Sequence, residues 1–550
     1  MTWVDESASR ALPPGAKPGP LEVLMRRMGS DSDFPALSEA IGAINRIASS
    51  ETEGVNELSN SILRDVALTS KLLRLANVAY YSQVGGGSIS TVSRAVVILG
   101  FNAVRAIALS LILFENLGNK AHAQELKEEF IKVLYAGMLA REMAGHTRVK
   151  DAEEAFIGAM LHKLGRMLTM FYFPKEMAAI RAHLEGGDMN DAQASTEVLG
   201  VSFENLGIGV ARSWGFPAAL VQTMKPLPAG RIRPATSDPE RLHALAGFSN
   251  ELCELVLETP EADRGKALAG LATRFGDSVP LTVEQLTGLM ERSMQDIAQF
   301  AMVVNVSLGR SDFAKQASKW AGMAAVPANA PEPDKAEADT PEAAPPEDAR
   351  AALEGSVLHA PAPSGEMDVP DSSMPRTSES IQAMLASGLQ DVSNSLIDDA
   401  VSLNDILRMI LEAMFSGMGF AHVVLCIKDG RHNSMVGKFG FGDHAQALVK
   451  AFDFSLAAQP DVFLVALQNN ADILISDIDD PKIAARIPAW YRKNVPARTF
   501  VLFPIVVKGK PIGLIYADRP GPGDIAIPEK ELSLLKSLRN QAVLAIRQSL

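Results

Sequence analysis

The chain of 550 residues is 47% hydrophobic and 21% charged, which is the balance of a folded globular protein and excludes a wholly disordered or fibrous one. At roughly 100–200 residues per domain it holds several domains. A formal charge of −13, from 52 basic and 65 acidic residues with no dense Lys/Arg block, argues against a non-specific nucleic-acid or anionic-membrane binder, because both require a cationic face.

Residues 1–20 carry Pro13, Pro14, Pro18 and Pro20, turn acidic at once and lack a basic region followed by an apolar core, so they are expected to form a disordered, unexported N-terminus. From Leu21 to Trp320 the spacing is helical. Leu37, Ile41, Ile44 and Ile47 mark one apolar face, and Ile62, Val66, Ser70, Leu73 and Asn77 a second. The most lipid-like stretch, Ala95–Phe114, has Asn102 and Arg105 near its middle, which predicts a buried helix pair and a cytoplasmic protein. Gly85-Gly86-Gly87 has no Gly-Lys-Ser/Thr after it and reads as a helix connection, not a phosphate loop. Past Pro234, helices around Arg241–Leu257 and Val283–Leu308 are expected to pack on the preceding ones, with Leu286, Met290, Met294, Ile297 and Met302 at core spacing.

Between 321 and 378 prolines recur among Ala, Glu and Asp, and no aromatic residue occurs before Phe415, the composition of a flexible acidic linker. Helical periodicity returns from Ser380 to Met418 and again over Glu529–Gln548. β-rich runs fall at His422–Lys428, Ile473–Ser476, Thr499–Val507 and Ile512–Ala517, the last two joined by the turn Lys508-Gly509-Lys510-Pro511. An antiparallel sheet flanked by helices makes residues 379–550 an α+β domain. The two cysteines, Cys253 and Cys426, lie too far apart for a disulfide framework or thiolate metal cluster; Cys426, inside an apolar strand, suits a small core residue, and no cofactor is called for.

Five segments of the helical half, in order, resemble the HDOD family of bacterial signalling domains related to the HD phosphohydrolases. They are Phe34-Pro35-Ala36-Leu37; Ile62-Leu63-Arg64-Asp65 through Leu75-Ala76-Asn77; Ile89-Ser90-Thr91-Val92 with Ala95-Val96 and Leu99-Gly100; Ala159-Met160-Leu161-His162-Lys163-Leu164-Gly165; and Glu197 and Leu199-Gly200 with Trp214-Gly215-Phe216-Pro217. Val66 stands where the family usually has Pro, and Val78 where it has Ser. The resemblance covers residues 21–235, leaving 236–320 as additional helices. The catalytic relatives hold a metal pair through several His and Asp ligands, including an adjacent His-Asp dyad. Here the dyad position reads His162-Lys163, and an ammonium has no lone pair to give and repels a divalent ion. Neither Phe130–Ala144 nor Val201–Lys225, where further ligands would lie, contains a histidine. His162 is therefore expected to be a hydrogen-bonded helix residue and Lys163 a solvated one, with an anion-binding lysine as its sharper rival; no metal site is expected. Asp65 suits an N-cap, and Asn77, on an apolar face, suits an amide bridging helices or a binding role; Trp214 belongs to the same set.

From about residue 395 the order of helix, strand Ala421–Lys428, glycine-rich turn Phe439-Gly440-Phe441-Gly442-Asp443 and closing hairpin Phe500–Val507 with Pro511–Asp518 resembles a GAF domain. Such domains bind small molecules between the sheet and its covering helices, or dimerise without a ligand. The stretch Asp477–Arg498 would be the lid, and Trp490 and Tyr491 beside Arg498 and Asp477 could recognise an anionic, nucleotide-like ligand; aromatics that fill the core are the plainer alternative. Leu385, Leu389, Val392 and Leu396, with Leu532, Leu535, Leu538 and Ala542, form stripes suited to a homodimer or to an intramolecular helix pair. The resemblance implies a non-catalytic signalling protein, its GAF half sensing a ligand or dimerising and its HDOD half engaging other signalling proteins. A divergent metal-dependent phosphohydrolase and a ligand-free scaffold are the alternatives. The linker length leaves coupling between the halves to contact or effective concentration rather than to a rigid connection.

Overall fold

Helix caps and left-handed glycines set most boundaries in this chain. The computed structural model describes residues 18–31, 33–47, 53–77, 89–117, 123–187, 189–304, 306–323, 377–397 and 401–549. Nearly all of the expected disordered N-terminus and acidic linker, and the Gly85-Gly86-Gly87 connection, lie outside them. The helical half comprises α1 (Pro20–Gly29), α2 (Asp33–Arg46), α3 (Glu53–Leu63), α4 (Val66–Asn77), α5 (Val92–Leu99), α6 (Phe101–Leu117), α7 (Ala123–Ala144), α8 (Ala152–Leu161), α9 (Leu164–Tyr172), α10 (Pro174–Glu185), α11 (Asp191–Leu199), α12 (Phe203–Ser213) and α13 (Ala218–Thr223). Then follow α14 (Asp238–Glu258), α15 (Arg264–Phe275), α16 (Val283–Val303) and α17 (Asp312–Trp320), which share one hydrophobic core with the earlier helices.

Two positions assigned to apolar faces of the helical half are exposed instead. The face drawn through Ile62 and Val66 is interrupted, because the Leu68 N–H donates to the Asp65 carboxylate and Thr69 Oγ1 donates back to the Ile62 carbonyl; α3 ends and α4 begins there. Val66 is exposed in consequence, and Leu68, Leu72, Leu75 and Ala76 carry the buried face. Met302, assigned to the core, is also exposed near the end of α16.

The α+β half comprises α18 (Ser378–Ser395), α19 (Leu403–Met418), β1 (His422–Asp429), β2 (Ser434–Gly442), α20 (Ala445–Ala451), β3 (Asp453–Ser455), α21 (Val462–Asn469), β4 (Ile473–Ile475), α22 (Ala489–Asn494), β5 (Thr499–Val507), β6 (Lys510–Arg519) and α23 (Glu529–Gln548). The strands make one antiparallel sheet in the order β3-β2-β1-β6-β5-β4. Alternation divides its residues between two cores: Val423 and Leu425 face α18, α19 and α23, while Val424 and Cys426 face α20, α21 and α22. Lys508 (φ 50°) and Gly509 (φ 74°) turn β5 into β6, a shorter turn than the four residues expected. Phe439–Gly442, expected as a turn, is the end of β2. Its glycines give a close approach: a Cβ on Gly440 would lie 2.6 Å from the Val423 carbonyl, and Gly442 has φ 122°.

The leucine stripes are filled in part from within the chain. Leu385 and Val392 of α18, and Leu535, Leu538 and Ala542 of α23, are fully buried where these helices meet α19. The buried positions of the two stripes thus serve an intramolecular helix layer, while Leu389, Leu396 and Leu532 are half-buried.

Candidate functional site

His162 follows the last turn of α8, with Lys163 next to it capping α9. The ring Nδ1–H donates to the Thr223 carbonyl at 2.7 Å, and burial followed by the Lys163 charge drives the pKa down to about 4, so the imidazole is neutral. Lys163 is half-buried, and its ammonium pairs with Glu254 of α14. Burial opposes that charge, yet the Glu254 carboxylate outweighs it and holds the pKa above the ordinary value. In α7, where an upstream ligand would lie, stands Arg141, buried against Asp296 (3.3 Å) and Glu153 (3.8 Å). These three line a cavity of about 20 Å³, room for a single water. Burial pushes Asp296 up to about 7. Among the described residues no group of three His, Cys, Asp or Glu is placed to hold a metal ion, and no helix is long and apolar enough to cross a membrane.

Asp65 caps α4. Asn77 is exposed rather than buried, and its amide grips Ile89 from both sides, donating to its carbonyl and accepting from its N–H, each at 2.7 Å. Trp214 is buried, with its indole N–H on Ser38 Oγ. These residues are distributed through the helical half and do not converge on one pocket.

In the α+β half, Trp490 and Tyr491 of α22 enter an aromatic cluster. Trp490 stacks on Phe454, Phe463 stacks on Phe500, and Tyr491 is fully buried. The Tyr491 and Tyr516 hydroxyls meet at 3.0 Å, and Tyr516 donates to Asp518, which accepts from His422 on its other oxygen. His422 Nε2 faces the Asp443 carbonyl, so both ring nitrogens meet acceptors; despite burial, Asp518 raises its pKa. Arg498 and Asp477 stand apart from this cluster, joined in a surface ion pair with Asp479 as a second partner. Both cysteine thiols are buried and their pKa values raised by that burial.

The arrangement that no sequence motif announced lies between the two halves. Helix α5 opens with its first N–H groups directed at α19: Val92 N–H donates to one oxygen of Glu412 and Ser93 N–H to the other, the latter at 2.8 Å. Just ahead of it, Ser90 gives its N–H (2.8 Å) and hydroxyl (2.5 Å) to Asp391 of α18. Arg94 donates to Ser395 Oγ. Glu412 is 1% exposed, and burial pushes its pKa up to about 7; burial likewise raises that of Asp391. At a second point of contact, Asn60 of α3 treats the outer edge of β2 as a neighbouring strand would, donating to the Gly440 carbonyl at 3.1 Å and accepting from the Gly442 N–H at 3.2 Å. Arg64 pairs with Asp443, and Gln446 with Glu57. The signal available in sequence was a carboxylate set into the apolar run Met409-Ile410-Leu411-Glu412-Ala413-Met414, since a charge on a buried helix face needs a partner.

Comparisons with known proteins agree with this division. Residues 34–226 match the HDOD domain and residues 402–546 the GAF domain. No curated protein matches the chain. Among solved structures, a Shewanella amazonensis SB2B protein provisionally assigned as a phosphohydrolase is 22% identical, over 50% of this chain and 99% of its own, with TM-score 0.38. An HDOD domain protein of unknown function from Geobacter sulfurreducens is 16% identical over 51% of this chain and 99% of its own, TM-score 0.37. The GAF domain of an Acinetobacter phosphoenolpyruvate-protein phosphotransferase is 16% identical over 30% and 92%, TM-score 0.25.

Proposed function

We propose that this chain, which joins an HDOD domain to a GAF domain, is a non-catalytic signal-transduction protein whose GAF half governs access to its HDOD half. The observation that carries the reading is the docking face, where Asp391 and Glu412 of the GAF half hold Ser90, Val92 and Ser93 of an HDOD signature segment. A signal reaches the HDOD half by changing the balance of docked and undocked forms, which requires the input to favour one of them. A ligand entering the aromatic interior of the GAF half would have to displace Trp490 from Phe454, and the Tyr491–Tyr516–Asp518–His422 hydrogen bonds run from that interior toward Asp443 at the docking face. The output is contact with other signalling proteins. Support for an absence of hydrolysis comes from the dyad: the second position is an ammonium held by Glu254, and Arg141 lies on the helix where a further histidine would be needed.

Metal analysis of the purified chain and a phosphodiesterase assay in added Mn²⁺ test the reading. We expect neither stoichiometric metal nor turnover; turnover that disappears in His162→Ala would overturn it in favour of a metal-dependent phosphohydrolase.

A further inference from the structure

The two sides of the docking face are unequal in chemistry. The HDOD side is built largely of donors: the Ser90 N–H and hydroxyl, the Val92 and Ser93 N–H groups and the Arg94 guanidinium. The GAF side opposes them with two carboxylates and one hydroxyl. Helix α5 adds the positive end of its dipole to the same spot. The match is incomplete. Arg94, a cation only 6% exposed, finds a serine hydroxyl where a carboxylate would suit it, and its Nε has no partner. The Ser93 hydroxyl, also buried there, has none either. A buried guanidinium left with a neutral partner forgoes the stronger, charge-assisted bond available to it. The HDOD face therefore has more capacity for negative charge than the GAF half fills. The hydrogen bonds of Glu412 and Asp391 come from N–H and O–H donors, while Arg94 attracts Asp391 through space but spends its own bond on Ser395.

We propose that Ser90, Val92, Ser93 and Arg94 form a recognition site for an acidic segment of another protein, and that Asp391 and Glu412 occupy it in cis as an internal substitute. The site rests on the regulatory reading above and names the chemistry of its partner. Opening the GAF half exposes the first amides of α5 and frees Arg94. A partner carrying several closely spaced Asp or Glu side chains then takes the N–H groups with one carboxylate and the guanidinium, in a bidentate bond, with another. In the docked form the apparent affinity for such a partner is reduced by the small fraction of open molecules.

The test uses the full chain and a fluorescein-labelled hexaglutamate peptide, with hexaglutamine as the uncharged control. In the Asp391→Ala/Glu412→Ala double variant, hydrogen exchange at the Val92 and Ser93 amides should accelerate, and hexaglutamate should bind roughly tenfold or more tightly than to the native chain. Adding Arg94→Ala should remove that gain. Asn60→Asp sets a carboxylate against the Gly440 carbonyl, opens the contact from its other end without touching the site, and should give the same gain. It stands in if the double variant does not fold. Fast exchange with no gain in hexaglutamate binding, or with equal binding of hexaglutamine, overturns the recognition site while leaving control by docking intact. Amides that stay protected in both folded variants overturn the docking reading and the site together.

Discussion

His162 and Val92 belong to the same helical domain, and their surroundings have been settled in opposite ways. Around His162 the polar groups are answered from within the domain: Thr223 takes the ring proton and Glu254 takes Lys163. At Val92 the donors are answered from the other domain, by a carboxylate more than three hundred residues away in sequence, and Arg94 and Ser93 are answered only in part. A pocket satisfied internally gains nothing from a visitor. A face satisfied by a neighbour can exchange that neighbour for another, which is why the function proposed above is placed at the domain boundary and not at His162.

That contrast can be broken most forcefully at Glu412. Glu412→Ala strips the acceptor from two buried N–H groups, and the docked form should lose about 2–4 kcal/mol. Exchange at the Val92 and Ser93 amides would report this as acceleration of roughly thirtyfold or more, and unchanged exchange would show that the carboxylate does not hold the halves together.

The pH dependence is the next largest effect. Docked Glu412 keeps its proton up to about pH 7, whereas an undocked, hydrated carboxyl would release it near the ordinary 4.5. Docking therefore takes up a proton in that window. Its full strength is present below the ordinary value, falls as pH rises from 4.5 to about 7, and is level above. Asp391, raised by its own burial, acts with the same sign. The Glu412 contribution alone is on the order of 3 kcal/mol, and small-angle scattering should find a larger radius of gyration at alkaline than at mildly acidic pH; an invariant radius counts against it.

Lys163→Asp should do least. The ion pair it removes is partly exposed, so its loss, with the new repulsion against Glu254, should lower stability by about 1 kcal/mol or less. Restoring the dyad's second letter should bring no Mn²⁺-dependent turnover, because Arg141 still stands on the neighbouring helix. A thermal melt and a phosphodiesterase assay on one preparation read both.

Much of this architecture could be read from residue order. The helical and α+β halves, β1, β5 and α23 follow from periodicity, and the Asp65 cap from residue type. The misreadings are local: Val66 fell outside the core because the cap at Asp65 ended one helix and began another. Gly440 and Gly442 looked like a turn, although their bare Cα atoms let β2 run close to Val423 and its neighbours. The docking face was hidden for a different reason. Backbone donors at Val92 and Ser93 carry no signature in residue type, and nothing in the spacing ties them to Glu412.

Asn60 has one more consequence. In completing the hydrogen bonds of Gly440 and Gly442 it works as a stopper on the end of β2 that runs past the short β3 and would otherwise carry free backbone groups. Cutting the chain ahead of α18 removes that stopper, so the excised C-terminal fragment carries a raw margin onto which a second fragment can add itself. Self-association seen with such a fragment would be an artefact of the cut, and ligand screening is better done on the uncut chain.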